Sequence, residues 1–560
     1  MDFLNRLPIG IQDFEKLREE NCFFVDKTGL LYKLVHSGNG YFFCRPRYFG
    51  KTLFVSMLEA YFRGRRDLFE GLAIENMEKE WNSCEVIRID FSSGLYSSDG
   101  SIEAALEFIL EKYEEIYGKM PDSLSAHTTY GRRFERLIQK AYEKSGKPIA
   151  VLIDDYDKPV LDATFTDTEI HNMEVLREFY SVLRGNDFYL KFVFVTGISK
   201  FASVNIFNGT DQLKDISTYP AFSDLCGFSE IDVHRLLSTA KGLKSESRKK
   251  GKSGEKKSMD KESDEENVSE GQSVNASQVF SILDQWYGGY RFADDGDMLF
   301  NPYSIMNCLD FNSAEAFASN DIRHQFWIQT GQPNVLISML KKRQYDIFNI
   351  LYGIKVDREE LMEYRWTEDD LLPLIYQSGY LTRTSDDENG FVMLAMPNAE
   401  IVEGMVKALL AEFTNIGSIS KSSAEIEQMR YLLSTKNLAG FIVRFESALE
   451  NVNFGSNPDY EYIGKLVFHI IANLVGKDVS SDTNSDVMFT VDSRDGSPIG
   501  YVFQLKVDKG LDLDEVKEDA FARIEERGFA SRFEAQDIPC KKVVLIFNPK
   551  KIGVAGWTSK

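Results

Sequence analysis

Short apolar runs alternate with helical segments over the first part of the chain. The apolar runs lie at 41–44, 84–91, 148–155 and 191–199, and the segments between them, such as 52–62 and 102–117, repeat apolar residues with the helical period. Strands that are apolar throughout are typical of a parallel sheet covered by helices on both faces. The pattern therefore predicts an α/β domain over residues 1–240.

The pattern changes after residue 240. Residues 241–278 hold almost no large apolar side chain, so they cannot offset the entropy cost of ordering and are predicted to be a disordered charged insertion. Between 279 and 455 the apolar residues recur at helical spacing, which predicts a helical connector region. Residues 456–560 follow the order helix, strand, strand, helix, strand, which predicts a second, smaller α/β unit.

Composition narrows the class of protein. Lys+Arg 65 against Asp+Glu 87 leaves a net charge of −22 over 560 residues, which excludes a basic charge over the whole surface for non-specific nucleic-acid binding. Any nucleic-acid contact must therefore be local. The six cysteines lack metal-binding spacing, and the chain shows neither a membrane-spanning apolar run nor a signal-peptide pattern at its start. We expect a soluble protein of a reducing, cytoplasmic compartment with no membrane partner. The basic stretch at 248–257 leaves three interpretations open: a solvated loop, a nucleic-acid-binding patch, or a nuclear signal if the chain is eukaryotic.

A candidate phosphate loop follows the first apolar run. The sequence from 45 to 52 reads RPRYFGKT and joins a predicted strand to a predicted helix. Gly50 lets the backbone approach a phosphate, Lys51 reaches the β- and γ-phosphates, and the Thr52 hydroxyl can bind Mg²⁺. Arg45 occupies the place of the leading glycine of such loops, so an ordinary helix start on the surface is the alternative interpretation.

A second motif strengthens the prediction of a nucleotide site. The apolar run at 148–155 ends in Asp154 and Asp155, about where an NTPase places its second magnesium-binding carboxylate. Asp154 is predicted to hold Mg²⁺ and Asp155 to activate water. Thr196, at the end of the next strand, is predicted to sense the γ-phosphate, with a simple polar cap as the alternative. ATP and Mg²⁺ are the cofactors that these residues indicate.

Several stretches together carry a family resemblance. The segments LPIGIQDFEKLREENCFFVDKT, CRPRYFGKT, VLIDDYDKP, FVTGISKF and WYGGYRF resemble the AAA-ATPase-like proteins that carry a PD-(D/E)XK nuclease-like domain at the C-terminus. The resemblance implies a P-loop NTPase-type parallel sheet and adds Arg45 and Arg47 to the nucleotide-binding residues. Tyr48 stands where the family has a further arginine, and Asp155 stands where it has glutamate. Because aspartate is shorter by about 1 Å, its carboxylate is withdrawn from the water that it should activate. We therefore expect ATP binding, with weak ATP hydrolysis.

The same resemblance implies a restriction-endonuclease-like α/β domain over 456–560. Such nucleases use an Asp that opens one strand and a Glu-x-Lys on the next, so that two acids hold Mg²⁺ and the lysine activates water. Asp486, Gln504 and Lys506 match these positions as the catalytic set, with Asp486 as the metal ligand. Gln504 is neutral, and Lys465 on the preceding helix stands about where the family has another acid. A degenerate domain is therefore predicted.

These predictions combine into one expected function with open alternatives. We expect an ATP-binding protein with weak ATPase activity, whose C-terminal domain has DNA as its candidate partner through Lys506. An ATP-dependent, metal-dependent nuclease and a nucleotide-gated switch without hydrolysis are the alternatives. A protein partner or a second copy of the chain is compatible with each of them.

Overall fold

The computed structural model describes residues 5–119, 128–164, 166–200, 213–240, 275–319, 322, 324–330, 333–342, 345–358, 361, 371–386, 390–414, 419–450, 459–510 and 512–560. The chain forms two compact units. The N-terminal unit comprises residues 1–327 and 357–392, and the C-terminal unit comprises residues 328–356 and 393–560.

A five-stranded sheet forms the centre of the N-terminal unit. Its strands are β1 (Gly40–Cys44), β2 (Val86–Asp90), β3 (Ile149–Asp154), β4 (Leu190–Gly197) and β5 (Lys214–Asp215), in the order β2-β3-β4-β1-β5. Every pairing between neighbours is parallel. All six residues of β3 are buried, as expected for a strand covered on both faces. The parallel arrangement brings the carboxyl ends of β1, β3 and β4 to one edge of the sheet.

Helices cover this sheet and extend the unit. Up to residue 319 they are α1 (Phe14–Glu19), α2 (Thr28–Ser37), α3 (Lys51–Phe62), α4 (Ala73–Met77), α5 (Ser101–Tyr117), α6 (Tyr130–Ser145), α7 (Lys158–Leu161), α8 (Glu169–Gly185), α9 (Glu230–Ser238), α10 (Ala276–Tyr287), α11 (Pro302–Phe311) and α12 (Ala314–Ser319). Beyond residue 319 most of the described helices belong to the C-terminal unit. They are α13 (Trp327–Thr330), α14 (Pro333–Lys342), α15 (Phe348–Tyr352), α16 (Leu372–Gln377), α17 (Ala399–Thr414), α18 (Ile419–Ser434), α19 (Leu438–Glu450), α20 (Tyr460–Val475), α21 (Leu513–Glu526) and α22 (Ser531–Glu534).

The C-terminal unit contains a mixed sheet. Strands β9 (Lys477–Ser480), β10 (Asp486–Asp492), β11 (Pro498–Val507), β12 (Cys540–Phe547) and β13 (Val554–Ser559) lie in the order β13-β12-β11-β10-β9. Only the pair β11 and β12 is parallel within this sheet. Helix α20 packs Phe468 against Phe503 with ring centroids 4.7 Å apart. Helix α21 contributes Phe521 to an apolar cluster with Val502, which lies on the opposite face of β11.

The expected α/β class and the N-terminal parallel sheet are confirmed. The C-terminal order also agrees, with β9 and β13 as two further strands at the sheet edges. Their sequences, KDVS and VAGWTS, are short and only partly buried, so they lack the apolar pattern of the inner strands.

The region from 279 to 455 differs from the helical connector that the sequence predicts. It also contains β6 (Ile354–Asp357), β7 (Thr382–Asp386) and β8 (Phe391–Ala395), and its residues are divided between the two units. Helix α10 joins the core of the N-terminal unit, where Val279 and Leu283 pack with Val233 of α9. Helical periodicity shows that a helix has a buried face, but not which unit buries it. Residues 241–274 of the predicted insertion lie outside the described residues, and α10 begins at Ala276.

Candidate nucleotide site

The predicted phosphate loop connects β1 to the start of α3. Gly50 precedes the helix with φ 100°, a left-handed conformation that glycine adopts without strain. Lys51 is the first residue of α3 and is buried, and its Nζ donates to the carbonyl oxygens of Arg45 and Pro46, both at 3.1 Å. The ammonium group thus folds the loop back over the helix N-terminus, where unpaired backbone N–H groups favour an anion.

Asp154 ends β3 in an unusual state. Its side chain is fully buried, and neither carboxylate oxygen has a hydrogen-bond partner within the described part of the chain. Arg88 Nη2 lies 3.8 Å from Oδ2, beyond hydrogen-bond distance. Burial, followed by the charges of Asp155 and Asp90, raises the pKa of Asp154 to about 7, while Lys51 and Arg88 oppose that shift. A buried carboxylate without donors is costly, and a cation would relieve the cost.

Thr196 lies beside Asp154 at the same edge of the sheet. Ile153 pairs with Val195 in the parallel register, and the backbone N–H of Tyr156 donates to the carbonyl oxygen of Thr196 at 3.1 Å. Thr196 Oγ1 is buried and, among the described residues, also lacks a hydrogen-bond partner. Two neighbouring strands therefore end in oxygen atoms that no described group satisfies.

Asp155 and Asp157, the next two acidic residues, have different surroundings. Asp155 has φ 50° and lines a cavity. Asp157 is fully buried and accepts bonds from the backbone N–H of Ile198 at 3.0 Å and of Ser199 at 2.8 Å, and from Ser199 Oγ at 2.9 Å. Burial raises the pKa of Asp157 to about 6. Asp157 therefore connects the end of β3 to the end of β4. The Ser199 hydroxyl is already hydrogen-bonded to Asp157 in the protein interior.

A cavity of about 370 Å³ opens in front of this edge. Arg47, Gly50, Lys51, Thr52 and Asp155 line it, so five of the predicted residues come together. Ser92 and Lys158 add further polar groups. Asp154 and Thr196 do not contribute to the lining and lie buried at the strand ends. The size falls in the range of small-molecule sites, roughly 300–1,000 Å³.

Arg45 is placed away from this cavity. Its guanidinium donates to the carbonyl oxygens of Ser217 at 2.6 Å and Ser223 at 2.8 Å, and it lies between the rings of Phe43 and Phe292 at 4.5 and 4.4 Å. Burial lowers its pKa. Arg45 thus connects the turn after β5 to β1, and it does not line the cavity. Phe292, one of the two rings, ends the WYGGYRF stretch at 286–292.

The structure aligns the predicted C-terminal residues across two strands. Asp486 on β10 pairs directly with Gln504 on β11, and Lys506 lies on the same face as Gln504. Asp486 is fully buried, and its carboxylate accepts from Thr483 Oγ1 at 2.6 Å and from the backbone N–H groups of Asp482 at 2.8 Å and Thr483 at 3.4 Å. Its oxygens therefore cap the turn that precedes β10.

The other C-terminal groups also have partners within the unit. Gln504 Nε2 donates to the carbonyl oxygen of Ser485 at 2.6 Å, while its buried Oε1 has no described partner. Lys506 pairs with Asp519 at 2.8 Å. Lys465 is buried and binds Glu461 at 2.7 Å and Ser485 Oγ at 3.1 Å. No group of three or more His, Cys, Asp or Glu side chains in the described ranges could hold a metal ion.

His469 lies on α20, the helix that also carries Lys465, and it too has hydrogen-bond partners within the unit. His469 Nδ1 lies 2.6 Å from the Tyr352 hydroxyl, and Nε2 lies 3.2 Å from the carbonyl oxygen of Asn484. A carbonyl can only accept, so Nε2 carries the proton and Nδ1 accepts from Tyr352. Burial lowers the pKa of His469 to about 3, and the ring is neutral at pH 7. This ring fixes the loop before Asp486.

Sequence reasoning missed the residues that surround the predicted ones. Arg88 on β2, Asp157 after β3 and Tyr303 on α11 each contact the site or line its cavity. Arg88 was detectable in principle, since a charged residue inside an otherwise apolar strand needs a buried partner. Tyr303 carries no such signal, because it lies far along the chain from either motif.

Two comparisons with known proteins bear on the N-terminal unit. Residues 8–207 match the model of a family described as "Predicted AAA-ATPase". The chain is also 26% identical over 563 aligned residues, 99% of this chain and 98% of the relative, to a protein of Azotobacter chroococcum mcd 1 named "Uncharacterized protein in vnfD 5'region". The family match supports nucleotide binding. It ends at residue 207 and the relative's name states no activity, so the nuclease-like domain stays a prediction.

One further expectation concerns membranes. Within the described residues, no helix is both long and apolar enough to cross a bilayer.

Proposed function

We propose that the N-terminal unit binds ATP together with Mg²⁺ in the cavity in front of α3. The observation that carries this proposal is the carboxylate of Asp154, which is buried and has no hydrogen-bond donor among the residues that the structure describes. It lies at the strand end behind a helix that begins Lys51-Thr52. Mg²⁺ is usually bound by one or two protein carboxylates together with phosphates and water, so a single buried aspartate is a sufficient protein contribution.

Each residue of the site has a role in this proposal. The backbone N–H groups at the start of α3 and the Lys51 ammonium hold the β- and γ-phosphates, after Lys51 exchanges its two carbonyl acceptors for phosphate oxygens. Thr52 and Asp154 would hold Mg²⁺, which when bound neutralises charge between the phosphates. Arg47 lines the cavity and is suited to a phosphate or ribose oxygen.

Hydrolysis is proposed to be slow. Asp155 lines the cavity and is the carboxylate available to orient a water molecule. It is one methylene shorter than the glutamate of the resembling family, which withdraws its oxygens by roughly 1 Å. The residues for ATP binding are therefore all in place, whereas the residue for hydrolysis is short. For this reason a nucleotide-gated switch without hydrolysis is the second candidate function.

Titration of the full chain with a fluorescent ATP analogue and Mg²⁺ tests the binding proposal. Lys51→Ala is expected to weaken binding by at least tenfold, because it removes a charged phosphate contact. Lys51→Met keeps the apolar stem and should show the same loss without unpacking the loop. Lys33→Ala removes an exposed lysine from α2 and serves as the matched control. Unchanged affinity in both Lys51 variants would overturn the site.

For the C-terminal unit we propose a degenerate nuclease-like module that does not hold a catalytic metal. The supporting observation is that Asp486 already accepts three hydrogen bonds and Lys506 is paired with Asp519. Gln504→Glu tests this proposal. The new carboxylate would face the carbonyl oxygen of Ser485, so we expect a loss of about 1–3 kcal/mol in the free energy of unfolding.

The measurement is thermal unfolding with and without Mn²⁺, alongside a plasmid-cleavage assay. We expect Mn²⁺ to restore neither stability nor cleavage to Gln504→Glu. Robust cleavage by the wild type that Lys506→Ala abolishes would overturn the degenerate assignment and favour the metal-dependent nuclease.

A further inference from the structure

Both polar and apolar residues line the nucleotide cavity. The polar residues come from the phosphate loop, Asp155 and Lys158. The apolar residues come from four separate segments, which contribute Pro8 and Ile11, Phe23 and Val25, Leu225 and Phe228, and Pro302 and Met306. Phosphate groups gain nothing from apolar surface, so the apolar lining is suited to a different portion of the ligand.

Two tyrosines form a pair within this lining. Tyr48 of the phosphate loop and Tyr303 of α11 have ring centroids 4.5 Å apart and an interplanar angle of 32°. Tyr303 lies in the first turn of α11, where Asn301 Oδ1 accepts its backbone N–H at 3.0 Å and caps the helix. That cap fixes the position from which the ring reaches the loop.

Tyr48 is held in an unfavourable backbone conformation. Its φ is 65°, which is uncommon for a bulky residue, and its side chain is 38% exposed. Because Tyr48 is only partly buried, packing of its ring compensates only in part for the energetic cost of this backbone conformation. Residues with strained backbone conformations cluster at active sites and ligand clamps, and Tyr48 lies two residues before Gly50.

We propose that Tyr48, Tyr303 and the surrounding apolar lining form a nucleobase subsite. The ligand is then a nucleoside triphosphate rather than an inorganic polyphosphate. This inference rests on the proposed function, because the phosphates must contact the polar residues of the same cavity. Aromatic side chains stack on the flat face of any base, and apolar side chains fill the space around it.

The subsite lies partly beyond the segment that matches the family model. That segment ends at residue 207, whereas Leu225, Phe228, Tyr303 and Met306 follow it in the chain. The nucleotide site is therefore completed by residues up to α11. Tyr48 also acquires a role that the arginine of the resembling family could not fill in the same way, since a tyrosine ring offers stacking without charge.

Calorimetric titration of the full chain with two ligands, ATP and inorganic tripolyphosphate, each with Mg²⁺, tests the subsite. We expect the wild type to bind ATP more tightly than tripolyphosphate. Tyr303→Ala should weaken ATP binding about tenfold and leave tripolyphosphate binding unchanged, because stacking concerns the base alone. Tyr303→Phe keeps the ring and should retain the wild-type preference.

A second variant removes the other ring without disturbing the loop. Tyr48→Asn places a residue that tolerates positive φ at this position, and it should also reduce the ratio of ATP to tripolyphosphate affinity. It decides the question if Tyr303→Ala fails to fold. Equal loss of both ligands in both tyrosine variants would assign the rings a structural role and overturn the subsite, as would equal affinity of the wild type for the two ligands.

The lysine variants separate this inference from the proposed function. Lys51→Met should weaken ATP and tripolyphosphate by similar factors, because both ligands present phosphates to the loop. If Lys51→Met weakens both ligands and the tyrosine variants change nothing, the phosphate site stands and the base subsite falls. If the wild type binds neither ligand, the proposed function itself is overturned.

Discussion

Asp154 and Asp486 are both fully buried aspartates at the end of a sheet strand, yet their surroundings are opposite. Asp154 has no hydrogen-bond donor within the described residues, and burial raises its pKa to about 7. Asp486 accepts hydrogen bonds from one hydroxyl and two backbone N–H groups of the turn before β10. The first carboxylate is costly unless a cation arrives, whereas the second is already satisfied by the chain.

The comparison shows that a carboxylate's donors, rather than its position in a motif, indicate whether it is available to a metal. Both aspartates match motif positions of the resembling family. Only Asp154 ends a strand of the sheet edge that faces a cavity, and Lys51, Thr52 and its neighbour Asp155 line that cavity. At the other site the nearby lysines, Lys465 and Lys506, each have an acidic partner of their own.

Removal of the satisfied carboxylate should have the largest effect. Asp486→Ala is expected to lower the free energy of unfolding by about 3 kcal/mol, because it leaves three donors of the turn unpaired. ATP affinity should not change. Asp482→Ala, which keeps the backbone N–H and removes only an exposed carboxylate, is the matched control for thermal or denaturant unfolding. A stable Asp486→Ala protein would show that these bonds contribute little and that the two aspartates are more alike than proposed.

Replacement of the unsatisfied carboxylate should affect the ligand instead of the fold. Asp154→Asn is expected to weaken Mg²⁺-dependent ATP binding by about 10–100-fold, the range seen when a group that supports a metal is lost. Binding measured without Mg²⁺ should change little. Titrations at several Mg²⁺ concentrations give both values. Equal weakening with and without Mg²⁺ would mean that Asp154 acts on the loop rather than on the cation.

Much of the nucleotide site could be predicted because its signals are local. The apolar run that ends in Asp154 and Asp155 specifies a buried strand with acids at its end, and the Gly50-Lys51 step specifies a turn into a helix. Parallel strands end at a common edge, so the two motifs meet without further information. At the C-terminal site the family resemblance put Asp486 and Gln504 on neighbouring strands, and the structure pairs the two residues directly.

The remaining features depend on contacts that the sequence does not encode locally. Arg45 faces the carbonyl groups of Ser217 and Ser223, more than 170 positions away, rather than a phosphate. The state of Asp486 depends on the conformation of the turn at Thr483, and Tyr303 reaches the cavity only because α11 packs beside the loop. Local patterns predict which groups are present, but the tertiary contacts decide which of them are already paired.

The raised pKa of Asp154 predicts that this residue makes the stability of the protein depend on pH. A carboxyl whose pKa is raised in the folded protein destabilises it as pH rises from about 4, the unfolded value, to about 7, and the full cost persists above that. Asp154→Asn cannot ionise, so it should melt a few degrees higher than the wild type at pH 8 in the absence of nucleotide. At pH 4 the difference should be much smaller, because little of the cost is present at the unfolded value. An equal difference at both values would contradict the raised pKa.

The smallest expected effect concerns Asp155, the acid that follows the unsatisfied carboxylate. Asp155→Glu extends the carboxylate by about 1 Å toward the cavity, so we expect a several-fold faster release of phosphate at saturating ATP. The gain is limited because Asp155 has φ 50°, a conformation that aspartate tolerates better than glutamate, and the variant should lose about 1 kcal/mol or less of stability. Asp155→Asn keeps the length and the backbone preference, so its loss of turnover would separate the charge from the reach. If Asp155→Glu instead lowers the rate strongly while its melting temperature is unchanged, the cavity is adapted to the shorter side chain.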